Sequence, residues 1–418
     1  MSGLDHHKQN QKRGPAALAH TGIAIPELYP HRKVRHAHGE VLNYPVSSQT
    51  VLHKTTTHTV YQTTSSTENS LASGGFCDIR IPAGSLQVVK QWTIALEVEN
   101  KTAGALHMPV IPYLFDRVEV LAEGGNVQIA RWEPMHLYAP FRHVEGTTWD
   151  LNYKGALIPA PMTLNGGDKG TYHVPILGDV FARNEAYLGH LKSDLYIRVW
   201  FVGASRFPSS LYIPTLNALS CIVEQDLYAP HDRMQLHERA VSSSIDYRFG
   251  RPNFQSIIEN LAPSTRYSFA LTAVQGVVSE LIVSIRYANS NGFAAYAFRG
   301  WSSYELLDGS GASLTGGMPI TYAYQRTIVD AARQSSGALD ALGAGLAGAT
   351  APLIIEFGNA KADLMTGTLT GYVPFSGQER LVITTDASLV AGSYEVRIEY
   401  LSVARVNVNQ GRITVLPS

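Results

Sequence analysis

One stretch of this chain can be laid over another almost two hundred residues away. SLQVVKQWTIALEVEN (85–100) matches VQGVVSELIVSIRYAN (274–289) at an offset of 189 residues, with the Val-Val pair, the final Asn and the apolar alternation all in phase. RVEVLAEGG (117–125) matches SYELLDGSG (303–311) at 186, and VPILG (174–178) matches VPFSG (373–377) at 199. The strand with Arg198 matches the strand with Arg397, also at 199. Four blocks in the same order, at an offset that drifts slowly, describe one domain written twice. Loops absorb insertions more easily than strands, and that produces the drift. The expected units are residues 45–228 and 240–418, preceded by an arm, 1–44, and joined by a polar link, 229–239.

The blocks alternate with period two. Trp92, Ile94, Leu96 and Val98 fall on one face of their segment, with Thr93, Ala95, Glu97 and Glu99 on the other. Leu195, Ile197, Val199 and Phe201 repeat the pattern, as do Leu281, Val283, Ile285 and Tyr287. Such alternation marks strands with one buried face. Turn signals, EGGN (123–126), NGGD (165–168), NSNG (289–292) and DGSG (308–311), separate the runs. Helix signals are few. A turn or two is expected in 133–141, and the best helical candidate is 325–347. Many short strands in a copy of this length predict an all-β chain: two tandem eight-stranded antiparallel jelly rolls with few short helices. A pair of immunoglobulin-like sandwiches has similar patterning, but with copies nearer about 100 residues.

Composition restricts the function. Net charge is −1, which gives no bulk field for nucleic acid. Charged residues make up 16%, against about 25% in typical soluble domains, as expected where much of the exterior meets neighbours. Cys77 and Cys221 are the only cysteines, too few for a disulfide framework. The beginning MSGLDHHKQNQKRGP lacks the apolar core of a secretion signal. No run approaches the roughly 18 apolar residues of a membrane span.

The search for chemistry is short. His36, His38 and Glu40 form an H-x-H-x-E cluster, a weak metal candidate. Cupins space their Glu further from the His pair, and this cluster precedes the first strong strand. Glu97, Glu99, Asp78, Asp116, Glu119 and Glu305 are expected to be solvated or salt-bridged rather than paired across a glycosidase cleft. No nucleophile elbow or P-loop is present, and no G-x-G-x-x-G sits between a strand and a helix: the Gly-rich GALDALGAGLAGA (337–349) lacks the preceding strand and the following lysine, so neither catalytic residues nor a cofactor are expected. The arm concentrates Lys8, Lys12, Arg13, Arg32, Lys33 and Arg35 against Asp5, Glu27 and Glu40, suiting phosphate or anionic headgroups.

Taken together, YLFDRVEVLAEGG (113–125), HVPILGDVFARNEAYLGHLKSDLYIRVWF (173–201) and the second-copy GYVPFSGQERLVITTDASLVAGSYEVRIEYL (371–401) resemble the double-jelly-roll major capsid proteins of tailless icosahedral viruses, several of which enclose a membrane. The resemblance implies a non-catalytic subunit. Its homotrimers would present six similar domains as pseudo-hexagonal tiles. The implied partners are the chain itself, neighbouring capsomers and minor capsid or vertex proteins, with internal membrane lipids or genome reached through the arm. It also implies folding in a host cytoplasm, residence in the virion, and a tower or inter-subunit loop in 301–352. Two other classes stay open: a secreted two-jelly-roll glycan-active hydrolase, and a carbohydrate-binding or fibre protein displaying some of the 21 Tyr.

Overall fold

The structure is a computed structural model. It describes residues 54–63, 70–108, 114–133, 162–176, 181, 186–203, 214–288, 300–325, 353–357 and 371–417. The first half contributes β1 (Lys54–Gln62), β2 (Phe76–Ile81), β3 (Val88–Glu99), β4 (Leu106–Met108), β5 (Phe115–Ala122), β6 (Val127–Trp132), β7 (Met162–Leu164), β8 (Lys169–Ile176), β9 (Leu195–Phe201) and β10 (Thr215–Tyr228). They form one sheet ordered β1-β10-β3-β8 and a second ordered β2-β9-β5-β6, with β4 and β7 as a separate pair. Every pairing is antiparallel. This eight-strand order is the jelly roll, in which neighbours in sequence cross between two facing sheets.

The second half repeats that order. Its strands are β11 (Ser244–Leu261), β12 (Arg266–Ala270), β13 (Gln275–Tyr287), β14 (Trp301–Leu307), β15 (Ile320–Thr321), β16 (Leu353–Glu356), β17 (Val373–Ser376), β18 (Arg380–Thr385), β19 (Gly392–Asn409) and β20 (Arg412–Pro417). One sheet runs β11-β19-β13-β16, with β17 also on β13 and β20 on β19, and the other runs β12-β18-β14-β15. Thus β13 stands where β3 stands and β14 where β5 stands, as the first two sequence matches require. β17 shares the edge that β8 occupies, but β8 pairs with β3 over Trp92–Glu99 and β17 pairs with β13 only over Gln275–Val278. β16 takes the adjoining stretch, Glu280–Val283.

The fourth match is corrected. Arg198 lies in β9, whose counterpart is β18, whereas Arg397 lies in β19, the counterpart of β10. YIRVWF and YEVRIEY both alternate apolar residues with an outward Arg. Any half-buried strand can show that pattern, so it does not identify position in the sheet.

The alternation places the cores. Trp92, Ile94, Leu96 and Val98 point inward against Ile197, Val199 and Phe201 of the facing sheet, all essentially buried. In the second half Leu281, Val283 and Ile285 meet Leu381, Ile383 and Leu306. Fully burying a side chain of this size contributes about 1.5–3 kcal/mol. Cys77 and Cys221 are buried on β2 and β10, and neither is in a disulfide. The polar stretch between the halves forms a 13-residue helix, Pro230–Ser242, started by Pro230 and burying Leu236 and Ala240. Of 301–352, the described part is sandwich rather than tower: β14, a turn, β15 and a single helical turn, Tyr322–Tyr324. Residues 326–352 lie outside the described residues. So do all but Gln325 of the expected helix 325–347 and all but Glu133 of 133–141.

Candidate functional site: the junction between the sandwiches

β11 and β19 are each 18 residues long, about three times the usual strand. They pair along their whole length, from Ser244↔Asn409 to Leu261↔Gly392. Only part of this ribbon serves the second sandwich, where β13 pairs with β19 as far as Ser402. Beyond it, β20 pairs with Ala404–Asn409. The extension turns Ile245, Tyr247, Phe249, Ala404, Val406, Val408 and Ile413 into the core of the first sandwich. Leu236 and Ala240 of the connecting helix join the same core. The first sandwich is therefore completed by chain from the second half.

Further along the ribbon its outer face receives the end of β6. Arg397 pairs with Glu133, which follows β6, and its guanidinium lies 4.5 Å from the Phe254 ring centre. Arg131 holds Glu133 at 2.6 Å and stacks on the same ring at 4.6 Å. On the ribbon, Glu395 accepts from Arg286 at 2.8 Å and from the Ser256 hydroxyl at 2.7 Å. Arg397 Nε lies 3.2 Å from Glu399 Oε1, outside hydrogen-bond geometry. Arg251 adds a bond to the Gln128 carbonyl at 3.2 Å.

This cluster is dry. Glu133 and Glu399 are 1% exposed, Arg397 13%. Burial raises the pKa of Glu133 despite Arg397 and Arg131 beside it. For Glu395 burial acts in the same direction, but Arg286, Ser256 and Arg397 together hold it below the ordinary carboxylate range. Arg397 stays firmly protonated, because Glu399, Glu133 and Glu395 outweigh its desolvation. The arrangement has the character of a lock rather than of catalysis. Each charge is costly alone and tolerable only with its partners in place.

The residues singled out from sequence do not converge here. Asp78 is held bidentately by Arg198 at 2.7 and 2.9 Å. Glu119 accepts from Arg117, Gln128 and Trp200. Asp116 pairs with Arg117 and Glu305 with Arg266. Glu97 and Glu99 take the Asn217 amide. Each is satisfied by strand neighbours, as expected of structural carboxylates. His36, His38, Glu40 and the arm cations Lys8, Lys12, Arg13, Arg32, Lys33 and Arg35 lie outside the described residues. Among the described residues, no cluster of three His, Cys, Asp or Glu could hold a metal. The junction itself was missed. Its signal lay in SIDYRFG (244–250), whose Ile245, Tyr247 and Phe249 alternate before the second copy's own core begins.

No protein-family model and no curated protein matches the sequence. Solved structures do match. A PBCV-1 virus capsid chain shares 11% identity, covers 89% of this chain and 99% of its own, and superimposes with a TM-score of 0.65. The Faustovirus major capsid protein shares 8%, covers 88% and 92%, and gives 0.58. The major capsid protein of STIV, the Sulfolobus turreted icosahedral virus, shares 13%, covers 85% and 97%, and gives 0.51. In strand order and extent, the chain has the double-jelly-roll fold of these viral major capsid proteins.

Proposed function

We propose that the chain is a major capsid protein: a non-catalytic subunit whose homotrimers form pseudo-hexagonal tiles of an icosahedral shell. The observation that carries this reading is extent. The likeness spans 85–89% of this chain and more than nine-tenths of each of the three viral chains above. The double sandwich accounts for nearly all of each of those viral chains. The units are 45–228 and 240–418, linked through 229–239. A locked pair of similar domains suits tiling, since three chains then offer six similar blocks with rigid internal spacing. The chain would fold in the host cytoplasm and reside in the virion, meeting neighbouring capsomers and minor capsid or vertex proteins. The experiment is light scattering and electron microscopy on purified protein. Trimers and shell-like particles are expected. A monomer that binds or hydrolyses glycans would overturn the reading.

The arm, residues 1–44, is proposed to face inward toward membrane lipid or genome. Six cations contribute about 1 kcal/mol each near an anionic surface, and salt screens them. Deleting residues 1–38 is expected to leave a folded trimer but to abolish low-salt co-sedimentation with anionic liposomes or nucleic acid. A truncated chain that fails to fold would place the arm in the core instead.

A further inference from the structure

The connecting helix, Pro230–Ser242, has a second face that the core does not use. Leu236 and Ala240 turn into the first sandwich, whereas Pro230, Arg233, Met234 and His237 follow helical spacing on another side. That side forms one wall of a cavity of about 560 Å³. The other walls come from two turns of the first sandwich, residues 84–87 between β2 and β3 and residues 187–189 ahead of β9. The cavity therefore exists only while the helix is seated on the sandwich. Its size lies within the range of small-molecule sites, roughly 300–1,000 Å³.

Tyr187 is the one buried side chain among the described residues that line it, at 2% exposure. Its hydroxyl donates to no group among the described residues. A buried hydroxyl left without a partner is unfavourable, so one that faces a cavity calls for an acceptor from outside the chain. Gly189 keeps it uncovered, since a Cβ at that position would collide with the hydroxyl. Burial raises the Tyr187 pKa against the pull of the Arg233 charge, so the phenol keeps its proton and remains a donor.

The surrounding polar groups are donors as well. Gln87 uses its amide oxygen on the Tyr228 N–H at 2.7 Å. That bond orients the amide, whose nitrogen has no partner among the described residues. The Arg233 guanidinium forms no hydrogen bond or ion pair among them, and neither does the His237 ring, which carries an N–H in either protonation state. Ser85 is already satisfied, accepting from Tyr61 and donating to the Pro82 carbonyl. No acidic residue lines the cavity. A guanidinium with several uncommitted donors and no carboxylate matches an oxyanion. Met234, 54% exposed, and Pro230 add apolar surface beside them.

We propose that this cavity binds a small oxyanion ligand, a phosphate or carboxylate on a compact body, between the connecting helix and the first sandwich. Arg233 and the Tyr187 hydroxyl hold the oxyanion, Gln87 and His237 supply further donors, and Met234 covers the body. A ligand held from both sides ties the link between the halves to the first of them, and occupancy stabilises the folded chain. The inference uses no contact between copies and stands apart from the capsid reading.

The test is calorimetric titration of the full chain with inorganic phosphate, glycerol phosphate and glucuronate, together with flotation on phosphatidylglycerol vesicles. At least one probe is expected to bind saturably at one site and to raise the thermal midpoint with concentration. Arg233→Gln is expected to weaken that binding about a hundredfold and Tyr187→Phe about tenfold. Arg233 is exposed, so its variant is expected to fold, and circular dichroism checks both. Flotation lost in Arg233→Gln would identify a lipid headgroup as the source of the oxyanion, and binding of soluble probes without flotation would identify a free small molecule. Either result supports the site. The cations of residues 1–44 also attract anions, but both variants retain them. Binding unchanged in Arg233→Gln would therefore belong to the arm and overturn the proposal, as would the absence of saturable binding by every probe.

Discussion

Expressed alone, residues 1–228 will not fold cooperatively. The fragment contains every strand of the first sandwich, yet its core lacks Leu236, Ala240, Ile245, Tyr247, Phe249, Ala404, Val406, Val408 and Ile413. Tyr247 and Phe249 are among the largest fully buried side chains of the described residues. Each large apolar group that loses its packing costs about 1.5–3 kcal/mol. A whole domain has only about 5–15 kcal/mol to lose. The fragment is therefore expected to show no sigmoidal thermal transition and to bind a hydrophobic dye, and co-expression with residues 229–418 is expected to restore the transition. A sharp transition and dispersed amide resonances from the fragment alone would show that the ribbon merely covers a complete core. Duplication thus does not mean independence, since the second copy's first and last long strands reach back to close the first.

How much of this was legible depends on what each residue faces. β3 and β9 could be read directly, because one face looks into the core and the other toward solvent. β13 could be read only by half. The alternation puts Glu280, Ile282 and Ser284 on a wet face, but they are as buried as Leu281 and Val283. That outer face carries Arg397 and Glu399 on the neighbouring strand and belongs to the junction, so both sides of β13 are covered. Arg397 reads in sequence as an ordinary outward strand Arg, like Arg198. The two differ only in what lies opposite: Asp78 on the same sheet for Arg198, and Glu133, 264 residues away, for Arg397. Local pattern records which side a residue faces. It does not record whether that side meets water or another domain. For the same reason the order of strands survived sequence comparison while the match between β9 and β19 did not.

Arg397 is where a single side chain should matter most. Arg397→Met keeps much of the volume but leaves Glu133, Glu395 and Glu399 buried with their shared cation gone. Removing one partner from a buried ionic cluster costs about 3–5 kcal/mol, and a correspondingly lower urea midpoint with unchanged slope is expected. Glu133→Gln should cost less, since it removes the carboxylate whose burial is least compensated. The double variant should lose less than the two singles combined, because they share one interaction. Acid titration separates the carboxylates by sign. Folding raises the pKa of Glu133, so its burial opposes stability when ionised and that opposition disappears as pH falls through the raised value. Folding lowers the pKa of Glu395, so its contribution is present above the ordinary carboxylate range and is lost as pH falls through the lowered value. On acidification wild type should therefore gain from the relief of Glu133 and lose the contribution of Glu395 progressively between the ordinary carboxylate range and the lowered value, whereas Glu133→Gln should show the loss without the gain. An Arg397→Met unfolding free energy within about 1 kcal/mol of wild type would put the pair among exposed ion pairs, and the two sandwiches would then be joined by the apolar ribbon alone.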